Sequence, residues 1–408
     1  MNHSGRILYV IQSIPGSNAP TKHALAIADL MAKCGYKPYF MVAGIADPSL
    51  PSLKKRFDYP IEYPSGLTLG RWQLAAKYAE RLTSCASIPA FRDAMARIEP
   101  EIVIYYGIQN RLAKYIEREC HAAHVPVVVD ETDWFETRFY GDIAAWIVAR
   151  GREHRVRDAD EAADGILAIS PFFVEHFKDI EKAKGAPRVM FLPPLNRDGE
   201  ALEEIRAPSD SERKVTRFFY AGSPSGKDYL DCFVDAMASC SGLLKTVPEL
   251  DVVGVSPAEG ESLLRGRETD VAVRFHGRLP HEDVIAMLRK ADFGILFRQP
   301  ELYARAGFST KFAECMSNGV PMLCNTVGGA DLVLLPGIDG VVVSDLEPAS
   351  LVAGIKAACD MDDDALLAMK RAALSKAKQL FQPENYMEDL SDFLASLQGC
   401  PSDSGPQF

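Results

Sequence analysis

Two lysines in the second half of the chain follow glycine-bearing turns. Lys227 lies in the sequence YAGSPSGKD (residues 220–228), where Gly222 and Gly226 let the backbone approach a ligand. Lys311 lies in AGFSTKFAE (residues 306–314), at the start of a predicted helix. A turn that opens a helix presents unpaired N–H groups and the positive end of the helix dipole, which favour phosphate. We therefore expect both lysines to neutralise a diphosphate; the alternative is an exposed lysine on a solvated turn.

Two further features of this half could complete such a site. The turn FHGRLP (residues 275–280) follows a predicted strand, and it would either present backbone groups to a nucleobase edge or cap the next helix. Glu314 lies one turn after the start of the Lys311 helix, where a carboxylate could meet a sugar hydroxyl. The alternative for Glu314 is a surface ion pair with Lys311, three residues earlier.

Metal-binding chemistry is not indicated. The sequence DMDDD (residues 360–364) contains an Asp-x-Asp spacing, but it lies between two late helices, so we expect helix N-capping there. The nine cysteines are scattered and odd in number, without a CxxC, and no Cys/His cluster has metal-ligand spacing. This usage is typical of reduced thiols in a cytoplasm. We expect no metal and no cofactor.

The elements that would position these residues alternate between strands and helices in two series. This alternation predicts an α/β protein with two Rossmann-like, doubly wound parallel sheets. The predicted strands are residues 6–12, 37–42, 101–106, 125–130, 164–169 and 188–192 in the first series, and 216–221, 250–255, 271–276, 293–297, 321–325 and 340–343 in the second. A chain of 408 residues suits two such domains.

The polar stretch between the two series predicts an interdomain linker. We place an N-terminal domain at residues 1–195, the linker at 196–213, and a C-terminal domain at 214–380. Residues 381–408 would form a C-terminal helix, which we allow to pack back on the N-terminal domain, and a polar tail.

The charge distribution excludes a generic nucleic-acid surface. Basic and acidic side chains balance in residues 1–200, so the whole net charge of −11 lies in residues 201–408. The apolar runs are of strand length and too short to span a bilayer, and no secretory signal is evident.

Taken as a set, the motifs between about residues 217 and 343 resemble the retaining glycosyltransferases of family four, also called group 1. They read G-x₄-KD, FxG, GF-x₅-E-x-M-x-x-G-x-P and VGG. The resemblance implies the GT-B fold, with two Rossmann-like domains facing each other across a cleft. Residues 1–195 would then be the acceptor-binding domain and residues 214–380 the nucleotide-sugar-binding domain. Within the family, the motifs resemble a subgroup that makes bacterial surface polysaccharides. By this resemblance the donor-binding residues are Gly222, Ser223, Lys227, Asp228, Gly277, Arg278, Leu279, Gly307, Phe308, Ser309, Thr310, Lys311 and Glu314. Lys227, Lys311 and Arg298 would stabilise the leaving diphosphate.

The N-terminal half resembles the family more loosely, mainly at VVVDETDW (residues 127–134) and DGILAIS (residues 164–170). The family's catalytic-side histidine is missing after the fourth strand, which leaves Glu131 and Asp133 as polar candidates for catalysis. We expect acceptor contacts from the group Gly16, Ser17, Asn18, Thr21 and Trp134. His23 could touch the acceptor, but a surface position is the favoured interpretation.

Two departures from the family pattern concern the donor. Ser223 stands where the family usually has an arginine, and Ala306 stands where it commonly has a second acidic residue that contacts the donor sugar. The identity of the donor sugar is therefore left open.

The resemblance predicts a cytoplasmic, metal-independent glycosyltransferase that uses a nucleotide diphosphate sugar, with a UDP-sugar favoured over a GDP-sugar. The acceptor would be a carbohydrate or a lipid-linked sugar. Two alternatives stand: a nucleotide-sugar 2-epimerase and a non-catalytic partner subunit with the same fold. A basic helical stretch at residues 150–157 would form a solvated face or an interdomain contact, with peripheral contact to an anionic membrane as the minor alternative.

Overall fold

The computed structural model describes most of the chain. The described residues are 5–12, 19–44, 59–62, 79–80, 82–134, 136, 143–157, 163–184, 187–196, 214–222, 224, 227–264 and 271–398. Of the predicted linker, only residue 196 lies among them. The chain divides into two compact units: unit 1 comprises Met1–Arg197 with Pro383–Phe408, and unit 2 comprises Asp198–Gln382.

Unit 1 is built on a seven-stranded sheet in which every described pairing is parallel. Its strands are β1 (Arg6–Ile11), β2 (Lys37–Val42), β3 (Ile61–Glu62), β4 (Ile102–Tyr106), β5 (Val127–Glu131), β6 (Gly165–Ala168) and β7 (Arg188–Phe191). They are arranged in the order β3-β2-β1-β4-β5-β6-β7. The central strands are almost wholly buried, as expected of a parallel sheet covered on both faces.

Unit 2 has a six-stranded parallel sheet in the order β10-β9-β8-β11-β12-β13. The strands are β8 (Val215–Ala221), β9 (Val247–Val253), β10 (Ala272–Phe275), β11 (Phe293–Leu296), β12 (Met322–Asn325) and β13 (Gly340–Val343).

The helices follow the strands in the alternation that the sequence predicts. Unit 1 has α1 (Ala19–Lys33), α2 (Ser87–Ile98), α3 (Asn110–Ala122), α4 (Ile143–Arg157) and α5 (Pro171–Lys184). Unit 2 has α6 (Leu230–Cys240), α7 (Pro257–Leu263), α8 (His281–Leu288), α9 (Leu302–Ala306), α10 (Thr310–Ser317), α11 (Ala330–Val333), α12 (Pro348–Asp360) and α13 (Asp363–Leu380). A 3₁₀ turn at Pro383–Tyr386 leads into α14 (Met387–Gln398). No helix among these described residues is both long and apolar enough to cross a membrane.

The predicted fold class is confirmed, with small differences at individual strands. The two-residue strand β3 was not predicted, because a pair of residues shows no periodicity. Strand β9 begins at Val247 rather than at residue 250, since the segment before Leu250 includes Pro248 and a glutamate and does not form an apolar run.

The apolar face of α14 belongs to the core of unit 1. Leu390 and Leu394 are fully buried in one cluster with Ile7 on β1. A Cβ added to Gly165 on β6 would lie 2.6 Å from the Phe393 ring, so this strand needs glycine to admit the helix. The segment after Pro383 therefore completes the unit with which the chain begins.

In each sheet, successive strands are added first on one side of the initial strand and then on its other side. The switch point between the two sides lies between β1 and β4 in unit 1, and between β8 and β11 in unit 2. Open parallel sheets bind ligands outside the carboxyl ends of the strands at such points. Residues that the sequence analysis predicted to be catalytic or ligand-binding lie at both switch points.

Candidate active site

Asp228 connects the two sides of the unit 2 switch point. Its Oδ1 atom accepts a hydrogen bond from Arg298 Nε at 2.6 Å, and its Oδ2 atom lies 3.1 Å from Lys311 Nζ. The Tyr220 hydroxyl, on β8, also donates to Oδ2, at 2.7 Å. Asp228 follows β8, whereas Arg298 follows β11, so the carboxylate bridges the strands that flank the switch point.

This arrangement sets the charge states of the cluster. Burial raises the pKa of the Asp228 carboxyl, but Lys311 and Arg298 outweigh burial and hold that pKa below its usual range. Burial and the neighbouring Asp228 carboxylate raise the pKa of Tyr220. The cluster therefore contains one carboxylate and two cations, which leaves net positive charge at the carboxyl ends of the strands.

The Arg298 backbone is clamped by a buried asparagine. The Asn325 side chain, at the end of β12, accepts from Arg298 N at 3.1 Å and donates to Arg298 O at 2.7 Å. With the backbone held by Asn325 and Nε held by Asp228, the guanidinium is directed towards the loop after β12. A Cβ placed on Gly328 in that loop would lie 3.9 Å from Arg298 Nη1.

The start of α10 is tied to the same loop. Ser309 is the N-cap of α10, and its side chain accepts from Lys311 N at 3.4 Å. The Ser309 amide donates to Gly328 O at 3.0 Å, and Gly328 N donates to Ala304 O at 2.8 Å. Gly328 has a φ of +61°, a backbone conformation that favours glycine. The predicted anion-binding turn at 307–310 is thus a fixed helix N-terminus beside Arg298 and Lys311.

Three glycines join the loops that follow β8, β9 and β10. Gly222 N donates to Val253 O at 2.9 Å, and Gly254 N donates to Gly277 O at 2.7 Å. Gly254 has a φ of +97°, and a Cβ there would lie 2.7 Å from Gly222 O. Only glycine fits this close approach, so Gly254 is a structural member of the site that the motif analysis missed. Its sequence signal was a glycine near the end of the strand predicted at residues 250–255.

The two predicted lysines have different surroundings. Lys311 Nζ lies 4.8 Å from the Tyr220 ring centroid and is directed at Gly222, where an added Cβ would lie 3.4 Å from the ammonium. Lys227 Nζ lies 5.5 Å from the Tyr303 ring, and the Tyr303 hydroxyl donates to Lys227 O at 3.3 Å. The Lys311 ammonium is therefore held by an ion pair with Asp228, whereas the Lys227 ammonium contacts the Tyr303 ring.

The remaining predicted donor residues occupy the same end of unit 2. Thr310 is the first residue of α10, Glu314 lies one turn further along, and Asn318 donates to Glu314 O at 2.8 Å. Arg278 is exposed in the turn after β10 that Gly277 begins, with Leu279 beside it. Phe308 is 6% exposed and packs against Phe312 and Phe381, so only its backbone faces the turn. Ser223 lies outside the described residues.

The predicted residues of the N-terminal half lie in unit 1. Glu131 ends β5 and Asp133 is exposed just after it, with Thr132 Oγ1 donating to Asp133 at 3.3 Å. Thr21 is fully buried in α1. The Trp134 indole is 7% exposed and packs among Phe172, Phe173 and His176. Three of the predicted acceptor residues, Gly16, Ser17 and Asn18, lie outside the described residues.

The expectation that His23 lies on the surface is wrong. His23 is 5% exposed, and its Nε2 atom lies 3.0 Å from Asp130 Oδ2. The Tyr106 ring packs edge-on against it at 5.6 Å between centroids. The sequence interpretation failed because Asp130 is 107 residues away and its pairing leaves no local pattern.

The Asp-x-Asp segment has a structural role. The Asp362 side chain accepts from Ala365 N at 2.7 Å and caps α13. Asp360 accepts from Lys245 N and pairs with Lys356. The described part of the chain contains no group of three His, Cys, Asp or Glu side chains arranged to hold a metal ion.

Solved structures share the fold of this chain. Two Rossmann-like parallel-sheet domains in one chain are the fold class of the GT-B glycosyltransferases, and solved structures of this class align over nearly the whole chain. The Anabaena protein HepE in complex with UDP and glucose aligns with a TM-score of 0.65 and 17% identity, covering 96% of this chain and 100% of its own. Sucrose-phosphate synthase of Thermosynechococcus elongatus aligns with a TM-score of 0.70 and 14% identity, covering 96% and 99%.

Sequence comparison finds a family match within unit 2 and two curated relatives. Residues 216–360 match the family model described as "Glycosyl transferases group 1". The D-inositol 3-phosphate glycosyltransferase of Corynebacterium kroppenstedtii is 29% identical over 123 residues, 30% of this chain and 26% of its own length. A GDP-mannose-dependent mannosyltransferase of Corynebacterium glutamicum, which acts on monoacylated α-(1-6)-phosphatidylinositol monomannoside, is 25% identical over 228 residues, 52% of this chain and 57% of its own. The chain thus matches from about a quarter to just over half the length of these relatives. The match over residues 216–360 shows that this part of unit 2 is similar to group 1 glycosyltransferases.

Proposed function

We propose that this protein transfers a sugar from a nucleotide diphosphate sugar to an acceptor hydroxyl, with retention of the anomeric configuration and without a metal ion. The observation that carries the proposal is the Asp228–Arg298–Lys311 cluster at the switch point of unit 2. It lies within the segment that matches the glycosyltransferase family model.

The cluster supplies what a departing diphosphate needs. As the bond from the anomeric carbon to the diphosphate oxygen breaks, negative charge develops on that oxygen. The acceptor oxygen bonds to the carbon, and the proton of the acceptor hydroxyl passes to the departing diphosphate. Fixed cations and helix N–H groups stabilise such charge strongly, because they are already oriented before the reaction. Here Arg298 and Lys311 are oriented by Asp228, and the N-terminus of α10 begins beside them at Ser309. Lys227 would add a third cation.

We propose a UDP-sugar as the donor and a carbohydrate or lipid-linked sugar as the acceptor, in the synthesis of surface polysaccharide or glycoconjugate. The Anabaena structural relative, solved in complexes with UDP and with UDP-glucose, supports a UDP donor. The Corynebacterium glutamicum relative uses GDP-mannose, so GDP-sugars belong in any test. We place the activity in the cytoplasm, which suits the eight described cysteines, because none of them forms a disulfide.

A thermal-shift screen of nucleotide diphosphates and their sugars tests the proposal. A ligand at 100 times its dissociation constant stabilises the folded protein by about 2.7 kcal/mol, which a shift in the unfolding midpoint reveals. We expect UDP and a UDP-sugar to stabilise the protein more than UMP or inorganic phosphate does. If no nucleotide diphosphate or nucleotide sugar shifts the midpoint, the assignment is wrong.

The stabilising donor then separates transferase from epimerase. A transferase releases the nucleotide diphosphate faster when an acceptor is added and joins the sugar to that acceptor, and proton NMR of the product reports its anomeric configuration. Nucleotide release that is independent of acceptor, accompanied by a change in the sugar at its second carbon, would instead identify an epimerase.

A further inference from the structure

Tyr303 contacts both the side chain and the backbone of Lys227. The Lys227 ammonium lies 5.5 Å from the centroid of the Tyr303 ring, within the range of a cation–π interaction. The Tyr303 hydroxyl donates a hydrogen bond to Lys227 O at 3.3 Å. Tyr303 is 5% exposed, so its ring is held in place by packing. One buried aromatic side chain therefore holds the backbone and the ammonium of the same lysine.

An aromatic ring holds a cation without cancelling its charge. The attraction arises from the quadrupole of the ring, and the ring itself is neutral. Lys311 differs in this respect, because the Asp228 carboxylate that orients its ammonium also offsets part of its charge. A lysine ammonium has three N–H donors, and a ring contact occupies only one side of it. The Lys227 ammonium can therefore contact the ring and bind a phosphate oxygen at the same time.

Tyr303 also connects Lys227 to the predicted anion-binding turn at residues 307–310. Tyr303 lies on α9, and its carbonyl oxygen accepts from Gly307 N, at the first residue of that turn, at 3.3 Å. Lys227 belongs to the turn after β8, where its amide donates to Pro224 O at 2.8 Å. Through Tyr303, the turn that carries Lys227 is therefore fixed relative to the N-terminus of α10.

Holding Lys227 before the ligand arrives favours binding, because a flexible lysine side chain otherwise loses conformational entropy when it binds. We propose that Tyr303 is a positioning residue for the donor diphosphate: its ring holds the Lys227 ammonium where that ammonium binds a phosphate oxygen. The inference rests on the proposed function, because the diphosphate is then the ligand of Lys227. Tyr303 acts through Lys227 and takes no part in the bond-breaking step.

Fluorination of the ring tests this role at nearly constant size. Tyr303→Phe removes only the hydroxyl, and mono-, di- and trifluorinated phenylalanines incorporated at position 303 then weaken the attraction of the ring for cations in steps. Calorimetric titration of the full chain with UDP and with GDP gives the affinity of each protein. We expect Tyr303→Phe to bind within about threefold of wild type, since one hydrogen bond is lost. The trifluorinated ring should bind about tenfold more weakly than the phenylalanine ring.

The dependence of affinity on fluorine content decides the inference. An affinity that stays constant along the series would overturn it, because the ring would then not hold Lys227 for the phosphate. An affinity that rises with fluorine content would also overturn it, since the ring would then compete with the phosphate for the ammonium. In a Lys227→Ala background the series should no longer change the affinity. A fall that persisted in that background would show a purely structural role for Tyr303.

Tyr115 provides a matched control in unit 1. Its ring also contacts cations, with the guanidinium carbons of Arg118 and Arg92 at 5.1 and 6.0 Å from the ring centroid. The same fluorinated phenylalanines at position 115 should leave the affinity for UDP and GDP unchanged.

The titration of the wild-type protein separates this inference from the proposed function. If wild type binds UDP or GDP and the affinity does not follow the fluorine content at position 303, only the role of Tyr303 is refuted. If wild type binds neither these nucleotides nor a nucleotide sugar, the proposed function is refuted, and the inference fails with it.

Discussion

Lys311 Nζ lies 3.1 Å from Asp228 Oδ2, although the two residues are 83 positions apart in the chain. Arg298 donates to the other oxygen of the same carboxylate. Asp228 was predicted to contact the donor, and in the structure both of its oxygens bond to protein groups. In this structure Asp228 holds Arg298 and Lys311 beside each other at the carboxyl ends of the strands.

Asp228→Asn should impair both stability and turnover. Removing one charge from a buried pair typically costs about 3 kcal/mol, because the remaining charges lose their compensation. We expect a lower unfolding midpoint and at least a tenfold loss of turnover, measured by urea unfolding and by nucleotide release. Asp292→Asn is the control: Asp292 is equally buried, at 8% exposure, and pairs with Lys370 away from the site. It should lose stability but keep its affinity for nucleotide.

The contribution of Asp228 to stability should depend on pH in a defined direction. Its pKa is lowered in the folded state, so its stabilisation is complete well above 3.8, the ordinary value, and is lost as the pH falls through the lower folded value. The difference in unfolding free energy between wild type and Asp228→Asn should therefore be constant at neutral pH and shrink below about pH 3.8. A difference that shrank instead between pH 6 and 8 would assign the effect to another group.

Lys311→Ala and Lys227→Ala should each reduce turnover about a hundredfold, which corresponds to ~3 kcal/mol of transition-state stabilisation. Lys370→Ala controls for the structural part of the Lys311 effect, since Lys370 is a similarly half-buried lysine paired with Asp292 at 3.3 Å. We expect Lys370→Ala to lower the unfolding midpoint with turnover intact. Wild-type turnover in both site variants would show that the diphosphate binds elsewhere.

Gly222→Ala should weaken nucleotide binding. Gly222 has a φ of +137°, and the added Cβ would lie 3.4 Å from Lys311 Nζ. The methyl group would therefore obstruct the ammonium group that we propose binds phosphate. Gly337 has a φ of +80° with no atom within 4 Å of an added Cβ, so Gly337→Ala introduces backbone strain without obstruction. Both variants should lose about 1 kcal/mol of stability, but calorimetric titration with UDP should show reduced affinity only for Gly222→Ala. Equal affinities would place the phosphate away from Gly222.

Glu314→Gln should lower the affinity for ribonucleotides specifically. A carboxylate one turn into α10 can accept two bonds from vicinal ribose hydroxyls, and charged acceptors form the stronger bonds. The alternative ion pair with Lys311 loses support, because the Lys311 ammonium is bonded to Asp228. Calorimetry should show that wild type prefers UDP to 2′-deoxy-UDP and that the variant does not. An unchanged preference would remove Glu314 from the ribose contact.

Transfer should continue after exhaustive chelation with EDTA. The reason is that Arg298, Lys311 and the start of α10 already supply positive charge where a metal ion would otherwise do so. Loss of activity that magnesium or manganese restores would refute the metal-independent mechanism. Nucleotide-release rates before and after dialysis against EDTA give the answer.

The fold could be predicted from the sequence because its strands and turns have recognisable local sequence patterns. Buried parallel strands are continuous apolar runs, and the turns after them carry glycines at fixed places, so β8, β11 and the start of α10 were all recognisable. What escaped prediction depends on residues far apart in the chain. The pairing of His23 with Asp130 and the sharing of Asp228 by two cations exist only once the sheets have formed.

Aromatic and acidic residues show the same limit. Trp134 was predicted to contact the acceptor, and Asp228 was predicted, through the family resemblance, to contact the donor. The structure packs Trp134 against Phe173 and neutralises Asp228 with neighbouring cations. Residue type states what a side chain can do, whereas packing decides whether it faces a ligand or another part of the protein.

Because α14 belongs to unit 1 but is translated last, the two units can complete their cores only in a fixed order during synthesis. Unit 2 is one continuous segment, Asp198–Gln382, so all of its strands have been made before α14 is translated. The core of unit 1 lacks Leu390 and Leu394 until then, although most of its sheet was made first. Domains fold as units once their residues have been made. Unit 2 can therefore complete its core before unit 1 does. Unit 1 leaves apolar surface uncovered until α14 has been translated.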